Sequence, residues 1–243
     1  MPQPDGLMWL LAGTFRARGV YEMDLANGSV VASASVSGSA RAIAQSPAGM
    51  VGLALATPRT GALELIDGAS GVPSQVVAIG APAYGLAVGD RTTFYVLAGT
   101  ASSTSATVVD VPDGKHATVR EVVPLPIGTV SIAPSPGQGT LFALQPDGVV
   151  TVVSLPAGTV EARFTVGHSG IFLAPGPSGS TLYVLKGRGA TRNVAVVELA
   201  TESVRKVLPA PAGSEQIAVS ADGRRIYDTT ATRSSGNVQI FSV

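Results

Sequence analysis

The chain has 243 residues, of which 45% are hydrophobic, 5% aromatic and 13% charged, and its 16 basic and 16 acidic residues give a net charge of zero. The charges stand singly, so no basic stripe can neutralise a phosphate backbone, and nucleic acid is excluded as an expected partner. Zero cysteines remove disulfides, thiolate nucleophiles and thiolate metal sites together.

Near the start, Leu7 to Ala12 is the longest apolar run, far short of a membrane span and without the basic leader of a secretory signal. No basic amphipathic helix follows it, so direct membrane insertion is not expected.

A turn glycine then recurs at Gly6, Gly49, Gly137, Gly179 and Gly223, and Arg91 holds the equivalent place in one further copy. The spacings are 43, 42, 46, 42 and 44 residues. After each turn a strand is predicted: Leu7 to Leu11, Met50 to Leu55, Phe94 to Leu97, Leu141 to Leu144, Leu182 to Leu185 and Arg225 to Asp228. A third strand follows at Val20 to Leu25, Ala62 to Ile66, Val108 to Val111, Val149 to Leu155, Val194 to Leu199 and Val238 to Phe241. Gly28, Gly71, Gly114 and Gly158 then turn the chain into an outer strand, such as Val204 to Leu208 in the fifth copy. Strands preceding the turns are rich in Ala, Gly and Ser, as at Ala40 to Ala44 and Gly85 to Val88, which suits crowding near an axis.

No segment of ten residues has a helical period. A period in the forties built from short strands predicts an all-β fold: a β-propeller of about six four-stranded blades, alone or within a seven-bladed ring, with essentially no helix. A sheet with two apolar faces cannot shield them unaided, so it stacks on its neighbours. Residues 1–6 read as a tail or the remnant of a missing inner strand, because Pro4-Asp5-Gly6 has the form of the turn that follows one. Residues 7–243 read as a single β-propeller domain that ends on a third strand. Such a chain is expected to be incomplete or unconventionally closed, with twenty-two strands in all. A missing upstream signal would place it in a secreted, periplasmic or cell-surface setting, and a chain complete as it stands in the cytoplasm. The Ala, Gly and Val bias is that of a GC-rich bacterial genome.

The phrase Ile217-Ala218-Val219-Ser220-Ala221-Asp222-Gly223-Arg224-Arg225-Ile226-Tyr227 resembles the strand-turn-strand core of YVTN-type propeller repeats. Thr181-Leu182-Tyr183-Val184-Leu185 and Thr93-Phe94-Tyr95-Val96-Leu97 resemble the same core, and Val108-Val109-Asp110-Val111 resembles the apolar-Asp step before its glycine turn. The resemblance covers most of the chain and is specific in the third, fifth and sixth copies. The Gly-His and Trp-Asp pairs of WD40 repeats are absent, since no Asp follows the single Trp9. What the resemblance implies is a ring of blades with interlocked terminal strands, and kinship with lactonase-like propellers.

Candidate chemistry lies on the loops beside the inner strands, where propellers usually place ligands. Aligning the copies by their turn glycines gives a column of Arg41, Tyr84, Thr129, Ile171 (Gly170 if the register slips by one) and Glu215, with His168 on the loop before the fifth inner strand. Arg, Tyr, His and Glu at one opening would suit a small polar or anionic molecule. Solvated loop residues sharing a repeat position would have the same composition. His116 and His168 sit on different copies, which argues against a metal, and no cofactor is expected. Asp90, Asp113, Asp147 and Asp222 each read as turn residues bonding locally. Gly167-His168-Ser169-Gly170 lacks the closing glycine and the helix of a nucleophile elbow. In Ser203-Val204-Arg205-Lys206 the Ser and Lys face opposite sides of a strand.

With no catalytic constellation in view, the expectation is a non-catalytic binding or scaffolding module, holding a small polar ligand or protein partner at a channel mouth. The alternatives are a lactonase-like hydrolase of a sugar lactone using Glu215, His168 and Arg41, and a sensor or accessory domain of a larger secreted or membrane-anchored protein.

Overall fold

The structure, a computed structural model, describes residues 6–14, 17–36, 38–89, 92–137, 139–155, 157–231 and 236–243. It contains twenty-two strands and, among the described residues, no helix. The strands form six antiparallel meanders, in two compact units of three sheets each, Met1–Ile127 and Gly128–Val243.

In the first unit, sheet one holds β1 (Leu7–Thr14), β2 (Ala17–Asp24) and β3 (Val30–Ala34). Sheet two holds β4 (Ala40–Gln45), β5 (Met50–Ala56), β6 (Gly61–Asp67) and β7 (Pro73–Ile79). Sheet three holds β8 (Ala83–Val88), β9 (Thr93–Gly99), β10 (Thr104–Asp110) and β11 (Thr118–Leu125). In the second unit, sheet four holds β12 (Ser131–Pro134), β13 (Thr140–Leu144), β14 (Val149–Ser154) and β15 (Val160–Thr165). Sheet five holds β16 (Gly170–Pro175), β17 (Thr181–Lys186), β18 (Asn193–Glu198) and β19 (Ser203–Pro209). Sheet six holds β20 (Ser214–Val219), β21 (Arg225–Ala231) and β22 (Gly236–Ser242).

Second strands are the most buried, because both of their faces meet apolar neighbours: Val51, Leu53 and Ala54 on β5, like Phe94 to Ala98 on β9, are wholly inaccessible. Between sheets one and two the core is Trp9, Val20, Val51, Leu53 and Ile66, and between sheets two and three Leu63, Leu65, Phe94, Val96 and Val109. In the second unit Leu144, Leu173, Val184 and Ala195 fill the space between sheets four and five, and Leu185, Val194, Ile217 and Ile226 that between five and six. Outer strands are largely exposed but close on a buried residue: Ala34, Ile79, Leu125, Phe164 or Leu208.

The third copy's third strand begins at Thr104, four residues before the expected Val108. Its Thr and Ser residues mask the pattern, yet Thr104 and Thr107 are buried. Gly6, Gly49, Gly179 and Gly223 take left-handed turn conformations (φ +80°, +88°, +72° and +71°), whereas Gly137 stays out of that region. Arg91 and the first five residues lie outside the described residues.

Candidate functional site

The aligned column of the repeat coincides with a backbone irregularity. In sheet two Ala40 pairs with Leu55 and Ala42 with Ala54, so Arg41 is one residue more than the facing strand has at that point of the ladder. Tyr84 is the extra residue in sheet three, between Ala83 and Gly85. Ile171 stands between Gly170 and Phe172 in sheet five, and Glu215 between Ser214 and Gln216 in sheet six. Each is a β-bulge at the leading end of an inner strand, and a bulge re-aims the side chain it carries. This register selects Ile171 over Gly170.

In sheet four the column falls on Val130, not Thr129. Ile132 pairs with Ala143 as Ile43 pairs with Leu53 and Ile217 with Asp228, and counting back from these pairs puts Thr129 level with Ala40 and Ser214. Those are inward positions ahead of the bulge, and Thr129, at 1% exposure, is buried as they are. The shift arises from counting back from the turn glycines: Gly49, Gly179 and Gly223 lie three residues after Ser46, Gly176 and Ser220, whose N–H groups close their turns, whereas Gly137 lies two after Ser135.

Arg41, Tyr84, Glu215 and His168 are exposed, and Ile171 is half-buried. Burial of its ring pushes the Tyr84 hydroxyl's pKa up, against a hydrogen bond with Thr104. Beside His168, Ser169 holds a left-handed backbone (φ +63°), one of two non-glycine residues among those described to do so. Its hydroxyl accepts a hydrogen bond from Arg188 Nε at 3.1 Å, and its carbonyl one from the Gly187 N–H at 2.9 Å. Backbone strain of this kind needs surrounding bonds to hold it.

Asp113, Asp147 and Asp222 accept backbone N–H bonds within their own turns, as the turn reading expects; Asp90 lies outside the described residues. The ring of His116, together with the N–H groups of His116 and Lys115, holds the Asp113 carboxyl well below the ordinary range. Among the described residues no group of three or more His, Asp and Glu is gathered as a metal site would require. Among the described residues no helix is long and apolar enough to cross a membrane.

One polar cluster was not singled out from the sequence. Asp228 of β21 has 0% exposure, and its Oδ2 lies 2.6 Å from Ser214 Oγ. Arg192, just ahead of β18, donates from Nη1 to the Ser214 carbonyl. The available signal was positional: Asp228 occupies a place held by Leu53, Val96, Ala143 and Val184 in sheets two to five.

No family model matches the sequence, and no curated protein matches it. Among solved structures, the chain is similar to the Cps50 (Swd1) β-propeller domain of Myceliophteria thermophila, with 12% identity and a TM-score of 0.62 over 97% of this chain and 92% of that one. The fold is a six-bladed β-propeller. Hydrazine synthase of Kuenenia stuttgartiensis is similar at 16% identity and a TM-score of 0.62, over 84% of this propeller chain and 63% of that chain. This chain therefore spans less than two thirds of that synthase chain. Identities so low carry the fold and not the activity.

Proposed function

We propose that this propeller is a non-catalytic binding or scaffolding module of the YVTN-like kind, holding a small polar ligand or a protein partner at the leading ends of its inner strands. It does so alone or as the accessory part of a longer protein. The carrying observation is the recurrent bulge, which presents Arg41 and Tyr84 in the first unit and Glu215 in the second, without disturbing the ladders behind them. A rigid sheet end bearing interchangeable polar side chains is suited to recognition.

The test uses citrate and gluconate as probes, followed by amide chemical shifts of the isotopically labelled protein. Shifts are expected at Arg41, Tyr84 and Glu215 or their neighbours, and should vanish in Arg41→Ala, Tyr84→Ala and Glu215→Ala while thermal midpoints hold. Shifts confined to the Asp147 and Asp222 turns would overturn the proposal for these ligands. Opening of glucono-δ-lactone that disappears in the His168→Ala, Glu215→Ala double variant would replace it with the hydrolase reading.

A further inference from the structure

Between sheets five and six, the buried Asp228 sits in a bonding pattern that counts protons. Ser214 Oγ lies 2.6 Å from Asp228 Oδ2 and 2.8 Å from the Pro211 carbonyl. A hydroxyl has one proton to give, and a carbonyl can only accept. If Ser214 spends its proton on an ionised Asp228, its oxygen faces the Pro211 oxygen with nothing between them. If Asp228 is protonated, it donates to Ser214, Ser214 donates to Pro211, and both short distances become hydrogen bonds.

A second observation points the same way. Asp228 Oδ1 is buried with no hydrogen-bond partner. In a carboxylate that oxygen would carry half of an unpaired buried charge; in the neutral acid it is a plain carbonyl oxygen, which costs far less to leave unbonded. Arg192 does not reverse this. Its Nη1 is committed to the Ser214 carbonyl, its Nε is itself buried without a partner, and no ion pair within 4.0 Å joins it to Asp228.

We infer that Asp228 is a neutral, proton-bearing carboxyl that locks the bulge carrying Glu215, so that deprotonation loosens the site end of sheet six. Ser214 is the residue before Glu215: its side chain is held through Asp228 and its carbonyl by Arg192, both at the residue that enters the bulge. Asp228 and Arg192 are thus positioning residues. Arg192 is the charged group that acts on Asp228; the neighbouring elements also carry Tyr183 and Lys186 on β17, Glu198 on β18, Glu215 on β20 and, on β21 itself, Arg225 and Tyr227, while its ladder partners, Ile217 and Gln239, are neutral. Burial pushes the Asp228 pKa up, with Ser214 and Arg192 acting against it. The folded state then keeps a proton that the unfolded chain loses at its ordinary 3.8. Stability therefore falls as pH rises from that value through the folded midpoint, and is level above it.

This regulation rests on the bulge being the binding end, but its test needs no ligand. The carboxyl carbon of Asp228, followed by NMR in the intact protein, should titrate above the ordinary 3.8. Corrected for intrinsic rates, amide exchange at Glu215 should rise roughly tenfold per unit of that shift as Asp228 ionises. Asp228→Asn, which still donates to Ser214, should remove this pH dependence and leave exchange slow. A midpoint at or below 3.8 in the wild type would overturn the inference, and that measurement stands whether or not the variant folds. So would a Glu215 exchange profile that keeps its wild-type pH course in Asp228→Asn.

Discussion

At the scale of single residues, the turn between third and outer strands sets a conformational demand that four sheets meet with glycine. Gly28, Gly71, Gly114 and Gly158 all adopt left-handed φ values between +63° and +72°. In sheet five the same place is held by Glu202, at φ +51°. A side chain there brings its Cβ against the backbone carbonyl, a cost of about 1–2 kcal/mol that glycine avoids at some loss of chain entropy. Glu202→Gly is expected to stabilise the protein by about 1 kcal/mol in urea titration. A variant less stable than wild type would mean that the Glu202 side chain contributes more than its backbone loses. The departure was visible in the sequence only as a missing glycine, because the strands on either side of it are regular.

At the scale of elements, close approach matters as much as pattern. Gly52 lies in the middle of β5, where glycine weakens a strand, yet its position is explained by a neighbour. An added Cβ would sit 2.7 Å from Phe94 Cε1, on the second strand of the next sheet. The bare backbone lets the wholly buried Phe94 ring lie against β5. Gly52→Ala should cost about 1–3 kcal/mol by overpacking. In a Phe94→Leu background the cost should shrink, since the ring atoms it meets are gone; equal losses in both backgrounds would refute this account of the glycine. The apolar run Met50 to Leu55 behind the Gly49 turn identified the strand, but nothing local showed that an aromatic ring from some forty residues on would need the space.

At the scale of the whole molecule, the repeat made six sheets and twenty-two strands legible, because spacing in the low forties and glycine turns are properties of sequence alone. Arg41, Tyr84 and Glu215 were legible as a column, and the structure adds that each is the bulge residue at the leading end of its inner strand. Thr129 was misplaced by one because Gly137, the residue it was counted from, stands one position earlier in its turn than Gly49 and Gly223 and does not share their left-handed conformation. Asp228 was overlooked because its significance is that it is hidden; the cue was its place two residues after Ile226, on the same face of the strand, where an apolar residue is expected. The same bulges bear on how such a chain can diversify. Since the inserted residue takes no part in the ladder, its replacement leaves the strand pairing behind it intact, and a library randomised at Glu215 should stay largely soluble with near wild-type melting. Widespread aggregation in that library would show the opposite. On the proposed reading, exchanging a bulge residue would alter recognition by a single codon while the ladders behind it stay as they are.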